Sequence, residues 1–342
     1  MYRLMRAAAL AAAVITGAGL VVAAGATPAG AATPTPPGQQ ATGYGSQASA
    51  VSSGYWEGTA GNQWAGSEVW WYVPTTLKDG SSAPVVVMLH GFELQAPQIY
   101  QGLIDHLTSE GYIVIFPQYN LAGLIGILMD TNQNTMEQRA ISAVNDALGH
   151  LGSLAERNHI ALWGHSLGGS LAACWTADGG VPVQSIMFAN PSVNPNASLP
   201  SFVASFVHIT PVPWQSCAAG ITVPTMILTG DQDTIAPPSV DPTMLYDALT
   251  HASSRVVYEA HSDTHGSPAL LANHMASTTS TGILPSWLSD FVFDGTGTLD
   301  ALDYRFYWAA LDAQLAGQTG VSFDMGSWSD GVPVAPVTQL LP

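Results

Sequence analysis

From Ser67 onward, short apolar, β-branched runs alternate with stretches whose apolar residues recur every three or four positions. The runs at 69–74, 84–89, 112–117, 159–164, 183–189, 223–229 and 255–259 predict strands. Most are apolar throughout, the pattern of strands covered on both faces. Between them, 97–110, 136–151, 167–177 and 244–250 predict helices, and 299–315 predicts a last one near the end of the chain. Alternation of this kind implies an α/β fold with a mostly parallel central sheet flanked by helices. Two stretches break the rhythm, 120–131 and 190–222, and the second predicts an inserted loop or lid. Both follow strands, where the ligand-binding loops of such sheets gather.

The ends of the chain read differently. Arg3 and Arg6 precede an Ala/Val/Leu stretch that closes on small residues, which predicts a signal peptide over 1–32 and a secreted, extracellular protein. The same stretch is long enough to span a bilayer, but its alanine content and small-residue exit favour cleavage, leaving no stable membrane anchor. Residues 33–50 are rich in Pro, Gly, Ser, Thr and Gln without apolar period and predict a flexible lead-in. Residues 51–342 then form one catalytic domain, expected to be a monomer. Seven Lys and Arg against 24 Asp and Glu give a net charge of −17. That balance excludes nucleic acid and anionic membranes as partners and points to neutral substrates. Cys174 and Cys217 are compatible with one disulfide or with two buried thiols.

The strongest chemical signal is Gly164-His165-Ser166-Leu167-Gly168, set between a strand-like run and a helix-like run. A serine hydroxyl is a poor nucleophile and must project from a sharp strand-to-helix turn where a histidine can reach it. The bland alternative is a helix start with Ser166 as N-cap. An acyl-transferring serine also needs two backbone N–H groups aimed at the developing oxyanion. Leu167 supplies one, and Phe92, in Leu89-His90-Gly91-Phe92 after an early strand, supplies the other. His90 is read as orienting that loop. Base and acid should follow in the order Ser, Asp, His. Asp231 or Asp233, then His261 or His265, satisfy the order, which does not choose within either pair.

The stretch Val223-Pro-Thr-Met-Ile-Leu-Thr-Gly-Asp-Gln-Asp-Thr-Ile-Ala-Pro237 resembles the acid-bearing turn of bacterial cutinases and polyester hydrolases, serine esterases of the α/β-hydrolase superfamily. HIALWGHSLGGS and Gly91-Phe92 are similar to that family's nucleophile and oxyanion segments. The resemblance implies Asp233 as the acid. It implies His265 as the base, six residues after Glu259, and an aromatic clamp at Phe92. Phe92, His165 and Trp214 are the substrate contacts expected from it, although the family's stacking Trp has no counterpart directly after the strand ending at Ala189. No cofactor or metal is expected; His261, Asp263 and His265 lack the companions of a metal site. The expected function is a secreted, cutinase-like serine esterase acting on neutral small or polymeric esters through an acyl-enzyme. A lipase or acyltransferase with the same triad is the nearest alternative, and a non-catalytic binding protein the remotest.

Overall fold

A computed structural model describes residues 32–121, 129–198, 207–279 and 295–342. The leader expected at 1–32 falls, but for its last residue, outside them, as do 122–128 and 199–206 of the two expected loops. The described chain from Pro34 to Pro342 is one compact unit. Its centre is a nine-stranded sheet of β1 (Tyr55–Ala60), β2 (Val69–Pro74), β3 (Ala83–Leu89), β4 (Ile113–Pro117), β5 (Ala155–His165), β6 (Ser185–Ala189), β7 (Thr225–Gly230), β8 (Arg255–Ala260) and β9 (Thr338–Leu341). The order across the sheet is β1-β2-β4-β3-β5-β6-β7-β8-β9, parallel from β4 to β8 and antiparallel at both margins.

Side chains on each strand alternate between two cores. Val85, Val87 and Leu89 face one apolar layer with Met136, Ala140 and Val144 of α2 (Gln133–Leu151) and Leu171 of α3 (Leu167–Cys174). Val86 and Met88 face the other, with Leu103, Ile104 and Leu107 of α1 (Gln101–Ser109) and Leu311 of α6 (Trp308–Leu315). Burial on both faces is why the central strands are apolar throughout. Two further helices, α4 (Trp214–Ala218) and α5 (Asp241–Ala248), lie between α3 and α6 along the chain.

Residues 34–50 do not behave as the flexible lead-in expected of them. Pro34, Pro36 and Pro37 favour an extended chain whose backbone groups stay available, and other parts of the fold take them up. Ser267 N–H donates to Pro34 O, Ser329 N–H to Thr35 O and Arg305 Nε to Gly38 O, at 2.8, 3.0 and 2.9 Å. Gly45 N–H donates to Asp312 Oδ2 at 2.6 Å, while Asp312 Oδ1 accepts from His106 Nε2 at 2.9 Å. Within 190–222, the described parts are likewise fastened. Thr210 bridges to Asn132, and Cys174 of α3 is disulfide-bonded to Cys217 of α4.

Candidate active site

Strand β5 is buried from Ile160 to His165, and the chain then reverses into α3 through Ser166, whose backbone sits at φ 54°, ψ −118°. That conformation is costly for a residue with a side chain and lifts the hydroxyl to the carboxyl edge of the parallel strands. Close packing below the turn demands glycine: a Cβ on Gly168 would lie 2.2 Å from Leu89 O. Gly168 N–H donates to His90 O at 3.1 Å, tying the nucleophile turn to the loop after β3. A Cβ on Gly91 would lie 3.3 Å from Ser166 Cβ, so the Gly91-Phe92 turn runs directly against the serine. Leu167 is the first residue of α3, where a helix leaves its N–H groups unpaired within itself. The half-buried Phe92 ring packs on the α2/α3 core.

His274, not His265, reaches the serine. His274 Nε2 lies 2.8 Å from Ser166 Oγ, and its Nδ1 lies 2.9 Å from Asp233 Oδ2. All three side chains are buried, His274 to 1% exposure and Ser166 to 8%. Asp233 Oδ1 also accepts the N–H groups of Ile235 and Ala236, at 3.0 and 2.7 Å, as a turn Asp does. The path of the chain explains the exchange of histidines. After β8 it makes an excursion closed by paired hydrogen bonds between Asp263 and Leu270, with His265 on the outward part. There His265 is 35% exposed and pairs with Asp330 at 2.7 Å. From Leu270 the chain returns to the sheet, where Gln232 N–H donates to Ala272 O, and two residues later His274 stands beside Asp233.

The other expected residues divide. Asp233 and Ser166 meet in the hydrogen-bonded line, whereas Asp231 accepts from Ser262 N–H and Oγ at the surface. His165 is no substrate contact. It is fully buried, Nδ1 on the Tyr100 hydroxyl at 2.9 Å and Nε2 donating to His274 O at 3.0 Å. Burial, reinforced by His274, lowers its pKa to about 3, so the ring is neutral. Trp214 is 7% exposed in the core around α3 and so is no open clamp. His90 stacks on Tyr119, and burial lowers its pKa to about 3. His261, Asp263 and His265 are spent on Asp231, Trp328 and Asp330 respectively. Asn190, Tyr100 and Tyr307, which the sequence pattern does not single out, all lie in the hydrogen-bonded surroundings of the line.

A family model described as chlorophyllase matches residues 72–189, from β2 to the end of β6. The bis(hydroxyethyl) terephthalate hydrolase of Streptomyces coelicolor is 26% identical over 233 residues, which cover 66% of this chain. The chain spans 62% of the length of that curated relative. The chain has the α/β-hydrolase fold. In an α/β-hydrolase the nucleophile sits after the strand equivalent to β5 and the acid and base follow it in sequence. The order Ser166, Asp233, His274 fits that plan. The matched segment reaches Gly91, Phe92 and Ser166 and stops before Asp233 and His274, so the later two rest on geometry.

Proposed function

We propose that the protein is an exported, cutinase-like serine esterase that hydrolyses neutral carboxylic esters through Ser166, His274 and Asp233. The single observation behind this reading is the unbroken line from Ser166 Oγ through the His274 ring to Asp233 at hydrogen-bond distance. His274 Nε2 takes the Ser166 proton as Oγ attacks the ester carbonyl, and Asp233 stabilises the imidazolium without itself being protonated. The N–H groups of Leu167 and Phe92 stabilise the tetrahedral oxyanion. His274 then returns the proton to the departing alkoxide. Water, activated by the same imidazole, releases the acid from Ser166.

The likeness to a bis(hydroxyethyl) terephthalate hydrolase supports an aromatic diester among the substrates. A net charge of −17 supports an uncharged substrate and would expel a carboxylate product. The leader-like start supports export, and the chain is expected to work as a monomer without a cofactor. The test is turnover of p-nitrophenyl acetate and bis(hydroxyethyl) terephthalate, with active-serine labelling by a fluorophosphonate. The parent chain should label and turn over both esters. Ser166→Ala should lose labelling and at least about a thousandfold in kcat. Labelling that survives Ser166→Ala would overturn the reading.

A further inference from the structure

We propose that Asn190 and Tyr307 are a positioning pair that holds the Oδ2 edge of Asp233 toward His274; the inference rests on the triad reading above. Asn190 closes β6 in the left-handed region, φ 47°, a conformation Asn tolerates better than most residues. Its Nδ2 donates to Asp233 Oδ2 at 2.9 Å, and its Oδ1 accepts from the Tyr307 hydroxyl at 2.6 Å. Asn190 is fully buried and Tyr307 nearly so. Tyr307 ends a π-helical turn, Asp303–Tyr307, that leads into α6. Such turns are uncommon and often stand at functional sites.

The three groups have one self-consistent polarity. A carboxylate can only accept, so the amide must present Nδ2 to Asp233, which leaves Oδ1 for a donor, and the phenol provides it. Without the phenol Oδ1 loses its donor and the amide plane is held less firmly against the carboxylate. The division of labour at Asp233 is also clear. Oδ1 is held by the backbone of its own turn and His274 Nδ1 reaches both oxygens, at 3.0 and 2.9 Å, whereas Asn190 is the other side chain on Oδ2 among the described residues. A carboxylate left to rotate would hold the imidazole tautomer less well, and that loss falls on turnover rather than on substrate binding.

A purely conformational role for Asn190 would be served as well by glycine, which adopts positive φ freely. The test therefore compares Asn190→Gly, Asn190→Asp, Tyr307→Phe and the double variant Asn190→Gly/Tyr307→Phe with the parent, on p-nitrophenyl acetate. Active sites are counted by complete fluorophosphonate labelling and folding is checked by thermal melting. Asn190→Gly and Tyr307→Phe should each lower kcat per labelled site by about tenfold with KM within about twofold. The double variant should be no slower than Asn190→Gly alone, since the phenol acts through the amide. Asn190→Asp, whose buried carboxyl keeps a proton beside Asp233 and can still donate to Oδ2, should retain more kcat per site than Asn190→Gly. Full kcat per site in Asn190→Gly or Tyr307→Phe, or no more kcat per site in Asn190→Asp than in Asn190→Gly, would overturn the proposal while leaving the esterase reading intact. A parent chain that neither labels nor turns over ester would overturn both.

Discussion

His274 is buried and donates to a carboxylate that also holds two backbone N–H groups, so its ring has one orientation and one useful tautomer. His265 has the opposite surroundings: it lies at the surface and its partner Asp330 is itself exposed. His274→Ala should therefore lower kcat on p-nitrophenyl acetate by about a thousandfold or more, and His265→Ala by less than about twofold. Equal losses would show that the line of hydrogen bonds is not the catalyst. Asp233→Ala should likewise cost about four orders of magnitude, against less than tenfold for Asp231→Ala. The sharp turn at Ser166 and the place of Asp233 beside the line were legible because each is bound to a short local pattern. The histidine was not, because it is set by the length of a loop. Counting six residues from Glu259 lands on His265 inside a polar run, His261-Ser-Asp-Thr-His265-Gly-Ser267, which stays at the surface. The run Ala269-Leu-Leu-Ala272 before Asn273-His274 was the available sign that the chain turns inward again.

At the scale of elements, the seven internal strands were legible from their apolar runs, while β1 and β9 were not. β1 (YWEGTA) and β9 (TQLL) lie at the sheet margins, carry exposed residues and lack a continuous apolar face. The N-terminal strap was misread for a related reason. Composition reports that a segment has little to bury, but this one is held through backbone groups and through Asp312 and Arg305. Hydrogen bonds to charged groups contribute about 1.5–3 kcal/mol each, so removal of residues 34–50 should destabilise the chain by several kcal/mol. A truncation beginning at Val51 should show this as a clearly lower urea midpoint than a chain beginning at Thr33; an unchanged midpoint would show that the strap is dispensable. The Cys174–Cys217 bridge closes a separation of 43 residues, for which the chain-entropy treatment gives about 4 kcal/mol. Replacing both cysteines by alanine should lower the urea midpoint accordingly, with activity per folded molecule retained.

For the molecule as a whole, alternation of strand and helix sufficed to read the α/β class, because two-sided burial of a parallel sheet leaves its mark on every central strand. Net charge says nothing of how individual acidic groups sit inside the fold. Glu137 of α2 is fully buried, and no hydrogen-bond donor among the described residues reaches its oxygens. Burial, reinforced by the Asp178 carboxylate, pushes its pKa up to about 9. The unfolded chain releases this proton near the ordinary carboxylate value, about 4.3, whereas the folded chain keeps it until about pH 9. Between those limits the folded state binds more protons, so stability falls as pH rises. His106, held above its ordinary pKa by Asp312 and Glu110 against the opposing effect of burial, adds a slope of the same sign. Glu137→Gln separates the two contributions, since the amide cannot ionise. The parent curve also carries the buried, neutral His90 and His165, whose depressed pKa values pull the other way below about pH 6.5, so the difference between the two chains isolates Glu137. The variant should match the parent near pH 5, exceed it at pH 9 and show only the residual slope. Parallel curves for the two chains would mean that Glu137 is already ionised at neutral pH, with its charge compensated in a way the arrangement around α2 does not provide.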